Sequence, residues 1–219
     1  MTKPQQTALV TGASRGIGRA IAEELGKDHH IYAGASSDAS EVVAALPSAE
    51  PFEVDLTDTA ALTAAARKVE QLDVLVLAAG VLHKGPLEEL TEEQWRETFE
   101  VNVAAPVTLV KELLPALRRS HGLIITINSG AGFHGIEANS AYCASKFALR
   151  GFTESLQLEE AGKVRVTSLH PGRTDTDMLA GDDDRPKMDA VNVAKAARLA
   201  VDAGPDAVVE FLRVRPSGI

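Results

Sequence analysis

A phenol and an ammonium one helical turn apart can share the handling of a proton. Tyr142 and Lys146 stand in this relation in the run Tyr142-Cys143-Ala144-Ser145-Lys146, because residues i and i+4 lie side by side on a helix face. A neighbouring cation favours phenolate, so the Tyr142 pKa is expected to fall below the usual value of about 10. A general acid/base for a carbonyl–alcohol pair needs such a group. An amphipathic helix with an exposed lysine is the plain alternative, and Ser129 weighs against it. Ser129 follows the apolar run 123–128 and precedes Tyr142 by thirteen residues. In an open α/β sheet, ligands bind at the carboxyl ends of the strands. The Ser129 hydroxyl can therefore hold a substrate oxygen while Tyr142 exchanges its proton. Cys143 adjoins Tyr142, but each helical residue turns by about 100°, so it is assigned to packing.

A second constellation lies near the start. Thr11-Gly12-Ala13-Ser14-Arg15-Gly16-Ile17-Gly18 follows an apolar run and opens a helix with Ile17, Ile21 and Leu25 on one face. Glycines at 12, 16 and 18 permit a tight turn, close approach of backbone to a pyrophosphate, and close helix–strand packing. The helix N-terminus adds unpaired N–H groups and the positive end of its dipole. A third feature is Asn102, four residues before Pro106. Proline has no N–H, so the Asn102 carbonyl loses its i+4 donor and the helix should kink there.

These residues need a frame to bring them together. Strands are expected over 7–11, 30–35, 52–54, 73–78, 123–128, 164–170 and 208–214. Helices are expected after Gly18 and over 41–46, 58–69, 91–118, 139–160 and 189–202. Asp58 is a plausible N-cap, and Thr91-Glu92-Glu93-Gln94 resembles a capping box. Alternating strands and helices predict an α/β fold, a doubly wound parallel sheet with helices on both faces. The length of 219 residues suits one domain, 1–219. One cysteine excludes an internal disulfide framework and a multi-cysteine metal site. A net charge of −9 argues against a nucleic-acid binder. Residues 1–7 lack the apolar core of a signal peptide, and no run approaches the ~20 apolar residues of a membrane span. A cytoplasmic protein without membrane or nucleic-acid partners, and with no bound metal, is expected.

The TGxxxGIG run at 11–18 and the later YxxxK at 142–146 resemble the short-chain dehydrogenase/reductase superfamily, and the resemblance covers essentially the whole chain. It implies a Rossmann-type fold of about seven parallel strands, an NAD(P) cofactor, and hydride transfer between a carbonyl and an alcohol. It further implies Asn102, Ser129, Tyr142 and Lys146 as the catalytic set, with Asn102 holding a water in a proton relay and Lys146 also holding the nicotinamide ribose. Gly12, Ser14, Arg15, Gly16, Ile17, Gly18, Ser36, Asp55, Leu56, Ala79, Gly80, Tyr142 and Lys146 would meet the cofactor. Pro171-Gly172-Arg173-Thr174-Asp175-Thr176 resembles the segment that holds the carboxamide and phosphates, through Pro171, Gly172, Thr174 and Thr176.

Charge beside the adenosine ribose decides between the two nicotinamide cofactors. The second strand is expected to end Gly34-Ala35-Ser36-Ser37, without a carboxylate, and Arg15 can pair with a phosphate. NADP (NADPH) is therefore favoured over NAD. Asp38 would become a ribose ligand if the strand ran one or two residues further, and Asp55 can equally be a loop N-cap. Leu77-Ala78-Ala79-Gly80 departs from the family's Asn-Asn-Ala-Gly, so the amide bonds that tie the central strands are expected to be missing. Leu82, Phe133, Ile136, Met178 and Leu179 suggest a partly apolar substrate pocket. His83 and His134 are placed in loops, and Asp182-Asp183-Asp184 in a solvated one. The substrate would be a small-molecule carbonyl or alcohol. The resemblance also implies a homodimer or homotetramer paired through the two long helices. A catalytically silent NAD(P)-sensing protein is the alternative on the same scaffold.

Overall fold

Strands apolar on both faces demand cover on both faces, and the middle of this sheet is built that way. The computed structural model describes residues 5–181, 183–204 and 206–218; residues 1–4 of the expected non-signal start and Asp182 of the acidic run lie outside them. The strands β1 (Gln6–Val10), β2 (His29–Ala35), β3 (Ala49–Glu53), β4 (Val74–Leu77), β5 (Leu123–Ile127), β6 (Arg165–Pro171) and β7 (Phe211–Val214) form one sheet in the order β3-β2-β1-β4-β5-β6-β7. Every pairing is parallel.

Side chains alternate along each strand. In β1, Ala8 and Val10 join one core while Leu9 joins the other; in β4, Val74 and Val76 separate in the same way from Leu75 and Leu77. The first core is covered by α1 (Gly16–Leu25), α2 (Ser40–Ala45) and α7 (Ala190–Asp202), through Ile21, Leu25, Val42, Val193 and Ala197. The second is covered by α3 (Thr59–Ala66), α5 (Ala105–Ser120) and α6 (Ser140–Glu159), through Leu62, Leu109, Leu113, Leu117 and Leu156.

The expected caps are present. Asp58 Oδ1 accepts from the Ala61 N–H at 2.9 Å. Thr91 Oγ1 accepts from Gln94 N at 3.2 Å, and Gln94 Oε1 from Thr91 N at 3.0 Å, which closes the capping box on α4 (Glu92–Phe99). The helix expected over 91–118 is interrupted where Pro106 removes a donor. Residues Glu100–Ala104 form a π turn between α4 and α5, in which Ala105 N bonds Glu100 O five residues back. A π register is one way for a helix to pass a missing donor.

After β3 the chain returns to the other side of β1 to lay down β4. The loops leaving β1 and β4 thus diverge, and a crevice opens at their carboxyl ends. Among the described residues, no helix is long and apolar enough to cross a membrane.

Candidate active site

The glycine loop lies at that crevice. Gly12 has φ +65°, and a Cβ there would stand 2.9 Å from Ala79 Cα. Gly16 has φ +57°. A Cβ on Gly18 would fall 2.2 Å from Gly12 O, inside any permitted contact. The loop can therefore close against β4 and α1 only with glycine at these places. Arg15 is the N-cap of α1 and makes no side-chain cap bond, so the first turn faces the crevice uncapped. Ser14 and Arg15 are exposed, and Ile17 packs on the first core.

The segment after β6 returns to the same place. Gly172 N bonds Val214 O at 2.7 Å, the Thr174 hydroxyl donates to Gly172 O at 3.0 Å, and the Thr176 methyl lies 3.3 Å from where a Gly16 Cβ would be. Pro171 ends β6 rather than following it.

Ala79 lies against Gly12 of the loop, and the tie between central strands, expected to be missing with the amides, is made another way. Thr11 Oγ1 accepts from Ala78 N at 3.0 Å and Ala79 N at 3.1 Å. A hydroxyl from β1's end replaces the amides that Leu77-Ala78 cannot supply.

Tyr142, Ser129, Lys146 and Asn102 converge. Tyr142 and Lys146 stand one turn apart on α6, with Lys146 Nζ 5.6 Å from the centre of the Tyr142 ring. Ser129, which leads into the 3-10 turn Gly130–Gly132 after β5, sets its side chain beside the Tyr142 hydroxyl. Lys146 is buried and donates to Ile127 O at 2.9 Å. Gly80 closes the set: a Cβ there would stand 3.2 Å from Asn102 Oδ1 and 3.9 Å from Lys146 Nζ.

The electrostatics differ from the expectation that Lys146 lowers the Tyr142 pKa. Burial pushes the phenol up to about 12, against the pull of the neighbouring Ser129 side chain. Burial pushes Lys146 down to about 8. Both groups lose water, and the ammonium spends an N–H on a strand carbonyl over the ring instead of meeting the phenol oxygen.

The Asn102 side chain is fully engaged. Its Oδ1 accepts from Val81 N at 2.9 Å, and its Nδ2 donates to Val81 O at 3.0 Å and Ser145 Oγ at 3.0 Å. Ser145 in turn donates to Tyr142 O at 2.7 Å. The amide clasps the loop after β4 to α6, which the sequence reading missed along with Thr11 and Ser145. Ser145 sits inside the YxxxK run, and Thr11 follows β1 at the head of the glycine loop, so only Thr11 carried a positional signal as a hydroxyl at a strand end.

β2 ends at Ala35, and exposed Ser36 follows. Asp38 is spent on the Ser40 N–H at 2.8 Å. Asp55 Oδ1 accepts from Thr57 N at 2.9 Å and Thr57 Oγ1 at 2.8 Å, a local turn, with Leu56 half-buried beside it. Arg15 and Asp177 are both exposed and 3.7 Å apart. On the substrate side, His134, Ile136 and Met178 are exposed, and Leu82 and Leu179 half-buried. His83 meets Glu97 at 2.8 Å. Phe133 is half-buried, and its ring packs on His170 and Phe211. Cys143 is buried, as its helix position required.

Residues 6–187 match the family described as short chain dehydrogenase. The chain belongs to that family. An uncharacterized oxidoreductase of Staphylococcus saprophyticus is 34% identical, with 96% of this chain and 97% of the relative covered. The 3-oxoacyl-[acyl-carrier-protein] reductase FabG of Escherichia coli is 33% identical over 88% of this chain and 83% of its own. The solved structure of an alcohol dehydrogenase from Thermococcus sibiricus, complexed with 5-hydroxy-NADP, superposes with a TM-score of 0.86 at 29% identity and covers 95% of both chains. This short-chain dehydrogenase is thus an NAD(P)-dependent oxidoreductase. Its residues fit the dinucleotide: Gly12, Gly16 and Gly18 make a cradle that side chains would fill, at an uncapped helix N-terminus suited to phosphate. Among the described residues there is no cluster of three metal-ligating side chains.

Proposed function

We propose that this short-chain dehydrogenase interconverts a small or medium-sized carbonyl and its alcohol, with Tyr142 as general acid and base. The single observation that carries the proposal is the convergence of Tyr142, Ser129 and Lys146 beside Gly80 at the crevice. When bound, the dinucleotide supplies or takes up the hydride. In reduction, the neutral Tyr142 phenol gives its proton to the substrate oxygen, and Ser129 Oγ holds that oxygen. Burial keeps the phenol protonated at neutral pH, the form from which it gives its proton. Lys146 sets a positive charge beside the phenol and the dinucleotide ribose. Asn102 acts through the main chain at the π turn, since its amide is spent on Val81 and Ser145.

NADP is the preferred cofactor in this proposal. β2 ends at Ala35, so the position just past the strand is Ser36, a hydroxyl and no carboxylate, while Asp38 lies further on with Oδ1 accepting from Ser40 N. Gly12, Ser14, Arg15, Gly16, Ile17, Gly18, Ser36, Asp55, Leu56, Ala79, Gly80, Pro171, Gly172, Thr174 and Thr176 are its proposed contacts. We further propose a cytoplasmic homodimer or homotetramer, paired through α4–α5 and α6.

The test is NADPH oxidation across a panel of ketones and aldehydes by the wild type and by Tyr142→Phe. The variant is expected to lose turnover by about 10³-fold and to keep NADPH affinity within about twofold. Near-wild-type turnover in Tyr142→Phe would reject the assignment.

A further inference from the structure

His170 has no role in the chemistry above, yet it is buried and touches Ser129. It is 1% exposed and precedes Pro171 in β6. Its Nδ1 lies 3.2 Å from the Ser129 backbone oxygen, and its Nε2 lies 2.7 Å from Ser168 Oγ. A carbonyl oxygen only accepts, so Nδ1 must carry a proton. In the neutral ring, Nε2 then accepts from the Ser168 hydroxyl, which fixes the tautomer. Phe133 and Phe211 hold the ring in place, with centroids 4.6 Å and 4.7 Å from it.

Three cations face this imidazole from two elements: Arg150 and Lys146 from α6 and Arg213 from β7. Burial first, then these cations, lower its pKa, while the Ser129 carbonyl pulls the other way. The ring is thus neutral at pH 7.

Ser129 is held at its other atoms too. Its N–H donates to Asn128 Oδ1 at 2.8 Å, and its hydroxyl oxygen accepts from Ala131 N at 3.1 Å. Its carbonyl also accepts from Gly132 N at 3.1 Å. His170 is the one link in this set that comes from another strand, and it joins Ser129 to the strand that leads into the cofactor segment.

We propose that His170, as the neutral Nδ1–H tautomer, is a positioning residue that fixes the Ser129 backbone and so aims the Ser129 hydroxyl at the substrate oxygen. This rests on the Tyr142–Ser129 proposal above. A misaimed hydroxyl weakens a bond made to the reacting oxygen, so the effect falls on turnover and not on dinucleotide affinity.

The test combines ¹⁵N-histidine NMR of the full chain with kinetics of His170→Asn and His170→Leu, using NADPH and the fastest carbonyl of the panel. An Asn amide N–H can occupy the place of Nδ1–H, whereas Leu fills space without a donor. The His170 signal, assigned by its loss in the variants, is expected to be the neutral Nδ1–H form at pH 7. His170→Leu is expected to lose about tenfold in kcat, and His170→Asn no more than about threefold, with NADPH affinity within about twofold in both. An Nε2–H tautomer or an imidazolium would overturn the proposal. So would wild-type kcat in His170→Leu, or an equal loss in both variants. If the Leu variant does not fold, His170→Gln takes its place, since its amide reaches the Nε2 position; recovery equal to Asn then overturns the proposal. A wild type that turns over no carbonyl rejects the function proposed above, and the tautomer then decides the role of His170.

Discussion

Thr11→Val tests whether one hydroxyl ties the two central strands. The substitution keeps the shape of the side chain and deletes the only atom that accepts from both Ala78 N at 3.0 Å and Ala79 N at 3.1 Å. An unsatisfied buried donor costs about 1–3 kcal/mol. Ala78 and Ala79 are half-buried, which puts each N–H at the low end, about 1 kcal/mol, or about 2 kcal/mol together. In a domain of this size each kcal/mol moves the melting temperature by about 2–4 °C, so Thr11→Val should melt about 4–8 °C below the wild type. Thr11→Ser keeps the acceptor and loses one buried methyl, about 0.8 kcal/mol, or about 2–3 °C. Scanning calorimetry at fixed protein concentration and without dinucleotide reads the difference, since a bound ligand would add its own stability. The expected order is wild type, then Ser, then Val. A Val variant as stable as the Ser variant would refute the reasoning.

Gly18→Ala puts a Cβ 2.2 Å from Gly12 O, so the melting temperature and NADPH affinity should both fall, the latter by about tenfold or more; wild-type values for both would contradict the cradle. The kcat/KM for NADPH-dependent reduction should decline as pH rises through about 8, because buried Lys146 is cationic below that value and neutral above it. A profile flat from pH 7 to 10 would separate Lys146 from the chemistry. Ser36→Asp sets a carboxylate just past β2, where it repels a 2′-phosphate, and should shift the ratio of NADPH to NADH affinity by about tenfold towards NADH; an unchanged ratio would place the ribose elsewhere.

Much of the frame was legible because each level of the sequence agreed. Apolar runs such as 73–78 announced buried strands, and Asp58 and Thr91 marked helix starts by local chemistry alone. Tyr142 and Lys146 were legible as a pair because helix geometry is fixed. Their charge behaviour was not, since it depends on how much water the fold removes, and burial sets the direction for both groups. The Thr11 tie and the Asn102 clasp join positions more than sixty and more than forty residues apart, and no spacing rule encodes such contacts. His170 looked like one more residue of an apolar strand until β5 and β6 were set in register. The kink near Asn102 followed from Pro106, but its form as a π turn did not.

The π turn at Glu100–Ala104 also works as a phase setter for everything downstream. With the same residues, ordinary α winding there would rotate α5 by about one residue's turn, about 100°. Leu109, Leu113 and Leu117 would then swing away from the sheet together. The π turn thus lets this stretch carry one residue more than an α-helix would while α5 keeps its face on the sheet, and larger changes of length fall more easily in the loop 83–90 that precedes it, where most side chains already stand in solvent.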